Sequence, residues 1–351
     1  MPQRRHAPTR ELSPPRDRGV PHRPGPTWRR VLALSGLVAL TACGGGGGST
    51  PNGVPTPTPS PPPPSPLPAQ MSVPTPVGYD ADHLAAFNRI NELRVMAGLG
   101  MLAQDTRLDA AAQAHVGWMD ANGTFSHVEV SGTVGFSGEH WWDRAESLGY
   151  LSTAGSEVIS WGFQPERAVD SLVNAIYHRT AILSINPTDL GVGYSVAVKS
   201  GFGLLSDFVV SVPRDGSPRA FGQSMQSNAG GVVLWPIDRA VGVQSRMGNE
   251  YPNPVPDIEV ANLGTPASIQ VDPGLVLAVK VFEIREYGSG ILVPTRILTW
   301  DTDPNGLIYG NMVAAIPLSP LTTGQSYLVH FSGSTPNREI IRDWVFGVGS
   351  Q

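Results

Sequence analysis

Cysteine is almost absent from this 351-residue chain, and Cys43 is the only one. Beyond it there is no thiol for a disulfide, for a cysteine-ligated metal or for a cysteine nucleophile, so the stability of what folds downstream must come from its core. Long apolar runs are missing too. The stretch Val31 to Leu40 falls well short of the roughly 20 residues that a bilayer span needs. Basic charge is scarce where it would matter. Residues 1–43 hold eight of the 24 basic residues and two of the 29 acids, which leaves 16 basic and 27 acidic residues after them, a net of −11. A phosphate backbone needs a basic footprint, so nucleic acid is excluded as a partner. There is no glycine loop for phosphates and no serine-nucleophile motif with an oxyanion signature, which disfavours nucleotide and acyl-enzyme chemistry. The two halves of the chain show no internal repeat.

The N-terminal stretch reads as an export signal. A polar, basic segment ending in Trp28-Arg29-Arg30 precedes the apolar run, and Leu40-Thr41-Ala42-Cys43-Gly44 follows it. Basic flank and short apolar run fit a secretory signal. The last five residues resemble the bacterial lipobox, in which the cysteine is lipidated and becomes the mature N-terminus. That resemblance implies lipid at Cys43 and anchoring to the cell envelope. Gly44 rather than aspartate after the cysteine favours the outer membrane in a cell that has one.

Gly44 to Ser49 is a glycine run, and Thr50 to Pro76 is dominated by proline, threonine and serine. Too few apolar side chains are present to build a core there. Prolines bias such a stretch to an extended, semi-rigid spacer. The remainder is long for one domain and comfortable for two. Its texture changes across Gly222 to Gly231. The expected organisation is a signal over residues 1–43, a linker over 44–76, a first domain over 77–221 and a second over 222–351.

Helical spacing marks the first domain. Leu84, Phe87, Ile90 and Leu93 recur on one face, with Asp82 as N-cap and Gly98 as stop. A second helix runs from near Asp105 through His115 to Asn122-Gly123, a third covers about 139–148, and a fourth carries Pro165 in its first turn. Leu190 to Val198 and Asp207 to Val212 read as strands. This mixture predicts an α+β layered structure. The second domain shows only short strand-like runs between turn signals: 231–234, 267–271, 275–284, 291–299, 312–316, 326–331 and 344–348. They predict an all-β sandwich.

Specific motifs sharpen the first prediction. Asn88-Arg89-Ile90-Asn91-Glu92-Leu93-Arg94 with Gly98, then Leu102, Asp105, Leu108, Ala112, His115 and Met119, come in order. Phe125-Ser126-His127, Arg144 with Gly149-Tyr150, Ser156-Glu157-Val158-Ile159, His178-Arg179 with Ile182-Leu183, and Leu190-Gly191-Val192-Gly193 follow. Taken together, residues 80–213 resemble the CAP superfamily (SCP; cysteine-rich secretory, antigen-5 and pathogenesis-related-1 proteins). The resemblance implies an α-β-α sandwich with a central cleft. In the second domain, Pro317 to Val329 followed by Trp344 and Phe346 resembles the final hairpin of bacterial immunoglobulin-like domains, with Tyr327 as a tyrosine corner.

By motif the resemblance carries three cleft residues onto this chain: His127, Glu157 and His178. Two imidazoles and a carboxylate suit Zn²⁺ or another divalent cation with coordination positions left open; without metal, Glu157 and a histidine can share a proton. The family's second glutamate falls at Ala175, and its asparagine after the first glutamate falls at Val158. Bland readings stand beside these. Glu157 can cap a strand end, His178 can suit a helix C-terminus, His115 reads as a core histidine and Arg179 as a structural hydrogen-bond donor. His140 has no motif support, though Trp141 and Trp142 beside it could stack on a sugar or lipid. Glu250-Tyr251-Pro252-Asn253-Pro254-Val255-Pro256 resembles a connector of bacterial CAP proteins and has no assigned task. Three functions follow: a surface-anchored module binding a lipid, glycan or peptide in the cleft; a metal-dependent hydrolase of envelope or extracellular polymers; or a non-catalytic scaffold or adhesin. The absent second glutamate favours binding or scaffolding over hydrolysis, and binding is the preferred reading.

Overall fold

The computed structural model describes residues 69–197, 199–214 and 231–349. The export signal with Cys43, the linker up to residue 68 and the expected domain boundary at 221/222 lie outside them. Among the described residues no helix is long and apolar enough to cross a membrane.

The first domain is built on one four-stranded sheet. Its strands are β1 (Ala103–Gln104), β2 (Ser152–Trp161), β3 (Asp189–Ala197) and β4 (Gly203–Pro213), in the order β1-β3-β4-β2. β1 runs parallel to β3; the other pairs are antiparallel. Period-two alternation sends successive side chains to opposite faces. Val158, Phe208 and Val210 meet α1 (Ala81–Met96), α4 (Pro165–Asn174) and α5 (Ile176–Ile182) through Phe87, Ile90, Val169, Leu172 and Ile182. Val209 and Ile159 face the other way, toward α2 (Thr106–Asn122) and α3 (Trp141–Ser147). The result is the expected α-β-α sandwich.

Local chemistry sets the helix ends. α2 is capped by Asp105, which accepts from Arg107 N at 2.9 Å, and ends at Gly123 in the left-handed region. α1 begins earlier than expected. Asp80, not Asp82, is the N-cap, because its carboxylate reaches His83 N at 2.9 Å while Asp82 lies inside the first turn. The fourth helix stops at Asn174, and Ala175 turns extended before α5 starts. His178 therefore sits in the first turn of a separate short helix, and the C-terminal dipole argument for it does not apply.

The second domain pairs two four-stranded sheets. One has the order β5-β7-β10-β9, from β5 (Val232–Trp235), β7 (Ala267–Val271), β9 (Thr295–Leu298) and β10 (Met312–Pro317). The other has the order β6-β12-β11-β8, from β6 (Ala240–Val243), β8 (Ala278–Glu286), β11 (Ser326–Thr335) and β12 (Arg338–Val348). β6 was not expected; its short Ala-Val-Gly-Val run pairs parallel with the end of β12. Ile269, Val313, Ala315, Phe331, Trp344 and Phe346 fill the space between the sheets. Tyr327 closes the turn before β11 by accepting from Thr322 N at 2.8 Å, as a tyrosine corner would.

The sandwich packs on the first domain. β10 is buried along its whole length. Val313 and Ala315 point into the sandwich, while Met312, Ala314 and Ile316 point outward against Ile176, Tyr177, Met247 and Val255. A strand covered on both faces reads as a continuous apolar run rather than an alternating one. Arg179 crosses the same junction. Its Nε donates to Val173 O at 2.7 Å, and its NH1 donates to Pro266 O and Ser268 Oγ at 3.0 Å. Tyr177 hydroxyl bonds Asp303 and accepts from Asn305 Nδ2.

Candidate functional site

His127 stands at the tip of a tight turn after α2. Ser126 Oγ donates to Val128 O at 3.1 Å and accepts from Val128 N at 3.0 Å, so one hydroxyl ties the residues on either side of it. The turn is also held from below, where Ser126 O accepts from His115 Nε2 at 2.8 Å. His127 is half-exposed, and its Nδ1 lies 2.8 Å from Glu157 Oε2. Glu157 lies within β2 rather than at its end, on the face that looks toward α2 and α3.

Beneath this pair lies a buried polar network. Arg144 of α3 donates to Glu157 Oε1 and also reaches Gly138 O at 3.3 Å. His115 Nδ1 is 2.9 Å from Glu129 Oε1, and Glu129 accepts from Ser137 N at 2.7 Å. Asp207 of β4 is fully buried, and neither of its oxygens meets a ready donor. Burial pushes the Glu157 carboxyl up, but the His127 hydrogen bond and the charges of Arg144, His115 and His127 outweigh it and hold Glu157 below its ordinary range. Asp207 goes the opposite way. Burial first, then the neighbouring Glu157 charge, raise it well above the carboxylate range. The same neighbourhood thus favours the neutral form of Asp207 and the charged form of Glu157. Two adjacent carboxyls pushed apart in this manner cannot both be ionised.

His115, Glu157 and Asp207 bring potential ligand atoms within 4.8 Å of one another, the one such group among the described residues. Its chemistry does not suit a cation. His115 Nε2 faces the Ser126 carbonyl and its Nδ1 faces Glu129 at 2.9 Å, so both ring nitrogens are already engaged. Arg144 already neutralises Glu157. His115 is a satisfied core histidine, as its place on the apolar face of α2 implied.

His178 takes a different carboxylate from the one expected. Its Nδ1 is 2.7 Å from Glu250 Oε1, and the Glu250 side chain is fully buried. Glu250 belongs to the connector whose task the sequence left open. The resemblance sets a second glutamate at Ala175; here a carboxylate arrives from the next domain instead. His127, Glu157 and His178 line one depression, but each histidine takes its own carboxylate. They form two histidine–carboxylate pairs, His127–Glu157 and His178–Glu250, along one cleft wall.

Both histidines, Glu250 and Tyr251 border two adjoining depressions. One, of about 640 Å³, is lined on its apolar side by Phe125, Ile159, Trp161, Phe163 and Leu172. The other, of about 390 Å³, is lined by His140, Trp142, Tyr177, Leu307 and Tyr309. Trp161 and Phe125 meet edge to face at 6.4 Å at the first mouth, and His140 stacks on Trp142 at 4.3 Å in the second.

The layered domain and the paired histidines define a cleft protein. Residues 87–212 match the family model described as CAP, the cysteine-rich secretory protein family. No curated protein matches the chain. Among solved structures, an extracellular protein containing an SCP domain from Bacillus anthracis str. Ames is 23% identical, with a TM-score of 0.31. That match covers 37% of this chain and 40% of the other. An outer surface protein from Borrelia burgdorferi is 18% identical over 36% of this chain and 87% of its own, also with a TM-score of 0.31.

Sequence reasoning missed Glu250, Asp207 and Glu129. Asp207 carried a readable signal, a lone acid inside the apolar strand run Phe208-Val209-Val210-Ser211-Val212. Glu250 carried none beyond the unassigned connector.

Proposed function

We propose that this protein is an exported, lipid-anchored binding module whose CAP cleft takes an amphiphilic lipid. The apolar part of the ligand would lie among Phe125, Ile159, Trp161, Phe163 and Leu172. Its polar end would meet His127, His178 and Glu250. The observation that carries this reading is the 640 Å³ cleft with an aromatic and aliphatic lining and both histidines at its border. Ligand sites are concave, mostly apolar and oriented by a few polar groups. Lipid at Cys43 and the proline-rich spacer would hold this cleft near a membrane surface.

The test is titration of the full chain, purified without its lipid by Cys43→Ala, with a fluorescent long-chain fatty acid. Saturable binding that Trp161→Ala weakens about tenfold, roughly the loss of one buried aromatic contact, supports the reading. Absence of saturable binding overturns it. In cells, Cys43→Ala is expected to move the protein from the membrane fraction to the soluble fraction.

A second reading has its own support. Nδ1 of each histidine faces a carboxylate, which leaves the Nε2 lone pairs to bind a metal. Paired in this way, His127 and His178 would hold a divalent ion such as Zn²⁺, with Glu157 and Glu250 setting the ring orientation. When bound, such an ion supplies Lewis acidity or an activated water, the chemistry a hydrolase of envelope polymers needs. Stoichiometric Zn²⁺ binding lost in a His127→Ala/His178→Ala variant would favour it; equal weak binding by both proteins would dismiss it.

A further inference from the structure

We infer that Glu250, from the segment between β6 and β7 of the second domain, is a positioning residue for His178 that fixes which ring nitrogen faces the cleft. This rests on the reading of His178 as the polar end of the ligand cleft. The geometry is specific. Glu250 is held by both of its oxygens. Oε2 accepts from Tyr177 N at 2.7 Å, in the first turn of α5, where Ala175 supplies no capping side chain. A backbone N–H at a helix start needs such a partner from elsewhere. Oε1 lies 2.7 Å from His178 Nδ1. The two atoms face each other off the ideal line, and neither has another hydrogen-bond partner. Buried polar groups are normally paired, and each of these has the other at ion-pair distance.

The connector has little freedom to withdraw. Met247 N donates to Leu263 O at 3.0 Å, and Asn174 Nδ2 donates to Gln244 Oε1 at 3.1 Å and to Arg246 O. Gly248 lies so close to α4 that a Cβ there would collide with Ser171 O. Met247 and Val255 are buried against Ile176 and Tyr177. The carboxylate is therefore delivered to His178 by the docking of one domain on the other.

An ionised carboxylate only accepts. Opposite Glu250, a neutral His178 must carry its hydrogen on Nδ1 and turn the Nε2 lone pair toward the cleft. Glu250→Gln reverses this while keeping the rest. The amide oxygen can still accept from Tyr177 N, and its NH₂ group then faces Nδ1. Nδ1 must become the acceptor, and the hydrogen moves to Nε2.

The experiment is ¹⁵N NMR of the histidine rings in the full chain at about pH 8, above the ordinary imidazole range, with no ligand added. Wild type is expected to show the Nδ1–H form at His178, and Glu250→Gln the Nε2–H form, with the His115 and His127 signals unmoved. An Nε2–H form in wild type overturns the inference without need of any variant. The same His178 form in wild type and in Glu250→Gln also overturns it. The His115 signals report whether the variant has folded. Because the tautomer is read without ligand, failure of fatty-acid binding would strike the proposed function and leave the role of Glu250 standing.

Discussion

Asp207 and Glu157 show how two carboxyls a few ångströms apart are given opposite tasks. Arg144 and His127 reach Glu157 and favour its charged form, while full burial favours the neutral form of Asp207. The pH consequences have opposite signs. Glu157 is held below its ordinary value, so its contribution to stability is present above the unfolded carboxylate range and is lost as pH falls through the folded value. Asp207 is raised, so the folded state retains a proton that the unfolded chain releases above about pH 4. Stability therefore declines as pH climbs from there toward the folded value of Asp207. Asp207→Asn keeps a donor for Glu157 and removes this decline. Calorimetry across pH is expected to find a higher Tm than wild type at neutral pH and a flatter slope in the variant. An unchanged slope would show that Asp207 is ionised in the folded protein.

At the scale of elements, the Gly191-Val192-Gly193 run of β3 is a packing device. A Cβ at Gly191 would collide with the backbone of Leu108, and one at Gly193 with the backbone of Ala112, so α2 lies directly on the strand. Gly193→Ala is expected to cost about 1–3 kcal/mol through overpacking. Gly117, inside α2, offers the contrast. It is exposed with nothing within 4 Å of an added Cβ, and Gly117→Ala should stabilise by about 0.5–1 kcal/mol. Urea unfolding of the two variants side by side checks both signs. A sequence pattern showed the glycines; only the helix lying across them separates the costly substitution from the favourable one.

At the scale of the molecule, the CAP domain and the sandwich are joined through α5, the connector and the outer face of β10. Arg179 is the buried hinge pin of that junction. Desolvation pushes its guanidinium down to about 9 even with the Glu250 charge nearby. Arg179→Ala leaves Val173 O and Pro266 O without their donor, and buried unsatisfied acceptors cost about 1–3 kcal/mol each. The wild-type chain is expected to unfold in urea as a single transition seen alike by near-UV and far-UV circular dichroism. The variant should be at least about 2 kcal/mol less stable and should show two separable transitions. A single transition at the wild-type midpoint would mean that Arg179 contributes nothing to coupling.

Much of this was legible in the chain. Helical spacing fixed α1, α2 and α4, strand alternation and turn residues fixed most of the sandwich, and the motif order placed His127, Glu157 and His178 on the cleft. These are local properties: a helix or strand period is written in residues three, four or two apart, and a Ser-His turn needs only its neighbours. The tertiary structure decided what is paired. It gave His178 to Glu250 instead of Glu157, set a buried Asp207 beside Glu157, and laid β10 against α5 so that a sandwich strand is buried on both faces. Each of these depends on groups far apart in the chain that meet only in the tertiary fold, and the energy of a buried charge depends on which partner arrives. Spacing along the sequence carries no record of that meeting.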